Sequence, residues 1–123
     1  MTQMNVFRKP IKECSCEPMT GFFRDGYCST DDTYDQGKHL VCCEMTEEFL
    51  AYSKYVGNDL STPRSEYGFP GLRPGDHWCL CLARWKQAFD DGCAPKVHLE
   101  ATHLGALELV SLENLQSCAL QPS

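Results

Sequence analysis

Basic residues are scarce in this chain: 11 Lys and Arg stand against 17 Asp and Glu, a formal charge of -6. No stretch gathers Lys and Arg as a phosphate backbone requires, which speaks against nucleic acid as a partner. Long apolar runs are missing as well. Nothing approaches the roughly 20 residues of a bilayer-crossing helix, so no membrane association is expected. Residues 1–13 hold two Lys, one Arg and a Pro but no apolar centre of signal-peptide length. The expected address is cytoplasmic. Low-complexity tracts and repeats of solenoid period are also absent. The 123 residues, 42% of them hydrophobic, fit one domain burying roughly two-thirds of its unfolded surface. The expected organisation is a flexible segment over 1–13, a globular domain over 14–120 and a tail over 121–123.

What is present in excess is cysteine: nine, at 14, 16, 28, 42, 43, 79, 81, 93 and 118. The odd number and the missing export signal disfavour a disulfide framework, because cytosolic thiols are normally kept reduced. Free thiols or a metal site remain as expectations.

Local patterns alternate between strand and helix. TGFFRDGYCST, 20–30, reads as a β-hairpin turning at Asp25-Gly26. A polar loop, Asp31 to Lys38, leads to a short strand over His39 to Cys43. Thr46 then caps a helix whose stripe is Met45, Phe49, Tyr52 and Val56, with Glu47 and Glu48 in the first turn and Gly57 at its end. Asp76 to about Ala83 alternates as a strand, with Trp78, Leu80 and Leu82 opposite Cys79, Cys81 and Ala83. A helix takes over between Leu80 and Arg84, with stripe Leu82, Trp85 and Phe89, Ala88 beside them, and Gly92 and Pro95 closing it. Lys96 to Ala101 reads as another strand, with Val97, Leu99 and Ala101 inward and Lys96, His98 and Glu100 outward. Thr102 is expected to cap a short helix through Leu109, and Ser111 a last one. The class is α+β: a single compact domain, a small mixed or antiparallel sheet packed by three or four helices, with long ordered loops.

TGFFRDGYC, GKHLVCCEMTEEFLAYS, GNDLSTP, FPGLRPGDHWCLCLARW and LEATH together resemble an uncharacterised, mainly bacterial family, domain of unknown function 2237. The resemblance covers nearly the whole chain from Cys14 onward and imports no activity. It implies that the cysteines at 14, 28, 42, 79 and 81 belong to the family pattern, whereas Cys16, Cys43, Cys93 and Cys118 are particular to this chain. His77 stands where the family more often has Arg, which discourages a catalytic role for it.

Several constellations could carry chemistry. Cys79-Leu-Cys81 on a strand aims two sulfurs the same way, and with Cys14, Cys28 and Cys42, which the resemblance assigns to the same family pattern, Cys79 and Cys81 are the candidate zinc ligands. A strand buried on both faces shows the same alternation, so packed, inert thiols compete with that reading. A cysteine nucleophile needs an activating imidazole. Cys79, Cys81 and His103, in LEATH, are the catalytic candidates. Glu100 and His103 have the i, i+3 spacing of di-iron bundles but occur once, so Glu100 is expected to bond a neighbouring Arg. Asp31, Asp32 and Asp35 fail the EF-hand spacing and read as a surface turn.

Gly57 to Gly75 is a stretch of roughly twenty residues without periodicity, and loops of such length usually have a function. Its glycines let backbone amides approach a ligand, and it is rich in donors and acceptors. A pocket for a small polar or anionic molecule is therefore expected from Asn58, Asp59, Ser61, Thr62, Arg64, Arg73 and Asp76, bordered by Arg24 and Arg84. The competing account has Asn58 and Asp59 capping a turn while prolines stiffen a structural crossing. The leading expectation is a domain binding such a molecule, with catalysis left open. A thiol or zinc-binding protein and a non-catalytic protein-interaction module are the alternatives. No cofactor is predicted, and reaction type, ligand identity and oligomeric state are not set by the sequence.

Overall fold

In the computed structural model, residues 3–16, 20, 25–29, 38–67, 69 and 71–120 are described. Their centre is a three-stranded antiparallel sheet, with β1 (His39–Glu44) between β2 (His77–Cys81) and β3 (Lys96–Val97). The register of these strands assigns each side chain to a face. Val41 pairs with Leu80, Cys43 with Trp78 on one side and Val97 on the other, and Cys42 with Cys79. Because side chains alternate between the two faces of a sheet, the odd positions of β1 and the even positions of β2 share one face. That face, with Val97, joins Phe49 and Leu50 of α1 (Glu47–Tyr55), Trp85 and Ala88 of α2 (Leu82–Asp90) and Leu115 of α3 (Leu112–Ser117) in the main core.

The helices start where small polar caps stand. Thr46 accepts from the Phe49 amide and Ser111 from the Asn114 amide, each satisfying an orphan N–H of a first turn. Gly57, at φ +93°, follows the last turn of α1 as expected. α2 begins at Leu82, directly after the last residue of β2, within the expected window. Trp85 and Phe89 stack on it with ring centroids 5.0 Å apart. The fold is α+β, and its sheet is antiparallel.

The 96–101 stretch departs from expectation. Only Lys96–Val97 form β3, and Leu99–Ala101 make a 3-10 turn. Thr102 is the reason: its fully buried hydroxyl donates to the His98 carbonyl (3.0 Å) and accepts from the Cys42 amide (3.2 Å), bending the chain across the sheet. It therefore does not cap the next segment. His103 does so, its Nδ1 accepting from the Gly105 amide at 2.9 Å, and Leu104–Glu108 is a 3-10 turn rather than an α-helix. Glu100 pairs with Lys12 (2.6 Å) rather than with an Arg.

The N-terminal stretch lies over these turns. Asn5 and Val6, within the segment expected to be flexible, are buried. The Val6 amide donates to Thr102 and the Lys12 amide to Glu100. Gly26, at φ +89°, makes the expected turn, with the Asp25 carboxylate accepting from the Tyr27 amide at 3.1 Å. Of the hairpin strands expected around it, the second does not form at 27–29, and 21–24 and 30 lie outside the described residues, as does the acidic loop at 31–37 with Asp31, Asp32 and Asp35.

Candidate functional site: a four-cysteine cluster on the second face of the sheet

The opposite face of the sheet carries Cys42, Glu44, His77 and Cys79 by the same alternation. Cys42 and Cys79 are direct cross-strand partners. Neither sends its amide to the other strand: the Cys42 amide donates to Thr102 Oγ1 and the Cys79 amide to Thr20 Oγ1 (2.8 Å). This is the non-hydrogen-bonded type of antiparallel pair, in which facing side chains come closest. Two further segments deliver sulfurs to it. Cys14 bonds Cys42 and Cys28 bonds Cys79, with Cα–Cα distances of 5.7 and 5.3 Å. The four cysteines and Ala101 make a small second core, apart from the main one, with Ile11 packed against it.

The expectation against disulfides is therefore corrected. An odd total requires only one unpaired cysteine, and pairing is set by strand register and by the approach of Cys14 and Cys28, which a count does not reveal. Cys16, Cys43, Cys81, Cys93 and Cys118 are free. Burial pushes the Cys43 thiol well up, a hydrogen bond to Glu13 raises Cys16, and desolvation raises Cys93. All three are thereby held away from the reactive thiolate form.

Of the zinc candidates, Cys14, Cys28, Cys42 and Cys79 converge, and the sulfurs of Cys14, Cys28 and Cys79 lie within 4.8 Å of one another. Cys81 stands apart, at the strand end, half-buried and free. Zinc takes thiolates, and the four converging sulfurs are bonded in pairs.

Two histidines adjoin the cluster. The register that pairs Cys43 with Val97 brings His98 opposite Cys42, and the His98 amide donates to the Cys42 carbonyl at 2.8 Å. His77 faces Glu44 across the strands, its Nε2 3.7 Å from the carboxylate. The two rings meet edge to face, 6.1 Å between centroids. One nitrogen of each lies within 4.8 Å of Cys42 Sγ. His98 Nδ1 is buried without a hydrogen-bond partner among the described residues. Burial, followed by the neighbouring His77, lowers the pKa of His98, favouring the neutral ring. Sequence reasoning placed no role on either histidine. The outward position of His98 beside inward Val97 was legible, but its partner across the sheet was not.

His103 is placed elsewhere. With Nδ1 accepting from Gly105, its Nε2 bears the proton and faces Gln3 Oε1 at 2.5 Å, so both ring nitrogens are engaged. It borders a cleft of about 360 Å³ shared with Arg8, Leu104, Gly105, Leu107 and Glu108. Neither Cys79 nor Cys81 lines that cleft.

The long loop packs through its own turns. Asp59 accepts from the Ser61 amide and hydroxyl, both at 2.9 Å, and from Thr62, as a carboxylate does when it caps a turn. These bonds, that of the Thr62 hydroxyl foremost, hold its carboxyl well below the usual range. Ser53 donates to the Asn58 carbonyl, Arg64 and Phe69 exchange backbone bonds, and the Leu72 amide donates to Leu60, burying the Leu72 side chain. Gly71 is at φ +81°, and a Cβ there would come within 2.6 Å of the Ser61 carbonyl oxygen. Asp76 accepts from the Arg73 amide at 2.9 Å, and Arg84 donates to Gln87 on α2. Arg24 lies outside the described residues.

No helix among the described residues is long and apolar enough to cross a membrane. Among curated proteins none matches the chain. A family model matches residues 4–119, and the chain accordingly belongs to the family described as an uncharacterized protein conserved in bacteria, DUF2237.

Proposed function

We propose that this is a thiol protein in which the Cys14–Cys42 and Cys28–Cys79 bonds open within the folded chain by exchange with an external dithiol and close by the reverse exchange with its cyclic disulfide. The observation that carries the reading is the convergence of four sulfurs, from four separate segments, into one cluster outside the main core. A cross-strand cysteine pair with a second cysteine docked on each member places exchange partners side by side. The 57–76 loop is less suited to a ligand, because Asp59 and Asp76, two of its three carboxylates, are spent on the loop's own turns.

Cys14 is the entry point. It is 7% exposed, against 0% for Cys42 and Cys28 and 1% for Cys79. The thiolate of an external dithiol attacks Cys14 Sγ, forming a mixed disulfide and expelling Cys42 as a thiolate. The second thiolate of the same reagent then attacks its own sulfur in that mixed disulfide, releasing Cys14 as a thiolate. The external dithiol is thereby oxidised to its cyclic disulfide by two electrons, and the protein bond is reduced. The reading predicts an order of events. Native protein treated with a small dithiol, quenched by alkylation at intervals and mapped by peptide mass, opens Cys14–Cys42 before Cys28–Cys79 without denaturant. Opening of both bonds only when the chain unfolds is the result that removes the proposal.

A further inference from the structure

We propose that opening the Cys14–Cys42 bond creates a transition-metal site from the Cys42 thiolate and the imidazoles of His77 and His98. This rests on the thiol reading above, since Cys42 becomes a ligand only when reduced. The sheet itself assembles the donors: Cys42 and His98 are brought opposite each other on β1 and the end of β3, and His77 enters from β2 diagonally across from Cys42. Their three donor atoms lie within 4.8 Å of one another. A tetrahedral zinc with bonds of about 2.0–2.3 Å wants them roughly 3.5 Å apart, so side chains on rigid strands need to close by about 1 Å.

A second observation points the same way. Native proteins seldom leave a buried polar side-chain atom without a partner, and a bound ion is one way in which such an atom is satisfied. His98 Nδ1 is such an atom. His77 is about 30% exposed, which gives the ion a way in and leaves one coordination position toward solvent. Two nitrogens, one thiolate and an open fourth position suit a borderline divalent cation such as zinc. Glu44, 3.7 Å from His77 Nε2, is placed to orient that ring from outside the coordination sphere.

The alternative geometry is a closed site of four thiolates from Cys14, Cys28, Cys42 and Cys79, and substitutions separate the two. Cobalt(II) serves as the probe, because thiolate ligation gives it a sulfur-to-metal charge-transfer band. Full-length protein, reduced under native conditions and freed of reductant, is expected to bind one cobalt with that band, and the oxidised protein to lack it. His98→Ala weakens binding by about 100-fold or more, since loss of an outer partner alone costs 10–100-fold. Cys42→Ser abolishes the band, and Cys28→Ser leaves it unchanged. Loss of the band in Cys28→Ser with retention in His98→Ala overturns the proposal in favour of the four-thiolate site. Reduced, folded protein that binds no cobalt overturns it outright. Failure to reduce the bonds natively is a separate result, read from the alkylation count, and removes the underlying thiol reading. Circular dichroism of each variant shows whether lost binding is merely lost folding.

Discussion

Replacing Cys28 and Cys79 together by Ala removes the crosslink with the longer span, 51 residues. In the chain-entropy treatment a closed loop of that length constrains the unfolded state by about 4 kcal/mol, and the 28-residue loop of Cys14–Cys42 by about 3.5 kcal/mol. At this chain size 1 kcal/mol moves the midpoint by roughly 3–6 °C, so the double variant should melt roughly 12–25 °C lower. Urea unfolding is the sharper assay, read by fluorescence from Trp78 and Trp85, both buried in the main core. The midpoint should fall while the slope m rises, because an uncrosslinked unfolded chain exposes more surface. The two loops interleave, with Cys28 inside one and Cys42 inside the other. Removing both bonds should therefore cost somewhat less than the about 7.5 kcal/mol obtained by adding the two isolated-loop values. A loss below about 1 kcal/mol with unchanged m would refute the reasoning, since the bond would then not constrain the unfolded chain.

Thr102→Val keeps the shape but leaves the Cys42 amide unpaired, at an expected cost of about 1–3 kcal/mol in urea unfolding. Gly71→Ala meets both the positive φ and the Ser61 carbonyl oxygen 2.6 Å away, and the strain should cost about 2–3 kcal/mol. Asp59 has a folded-state pKa depressed below its unfolded value. Its contribution is present above the ordinary carboxylate pKa of about 3.9 and is lost as pH falls toward the folded value. Asp59→Asn should therefore flatten the acid limb of a pH–stability profile in that window and leave its shape at neutral pH unchanged.

The faces of the sheet could be read from the chain, but their register could not. Trp78 and Leu80 against Cys79, and Val97 against His98, are period-two patterns that require only local sequence. Which residue of β1 meets which of β2 depends on contacts between residues 42 and 79, and nothing local encodes it. The disulfides and the two histidines became visible only with that register. Caps at Thr46 and Ser111 were legible because the side chain acts within its own turn. Thr102 was misread because its hydroxyl is claimed by the Cys42 amide, 60 residues away in sequence. The length of the 57–75 loop drew attention to a ligand, whereas Asp59 and Leu72 give it a packing role.

The central claim is that the disulfides open while the fold persists, and one count tests it directly. Native protein is treated with a dithiol, quenched and unfolded in acid to stop exchange, freed of the dithiol, alkylated in denaturant at neutral pH and weighed, with circular dichroism recorded before quenching. The account predicts that alkylated cysteines rise from the five that are free to all nine while the spectrum stays folded. A count that remains at five until the spectrum collapses would contradict it.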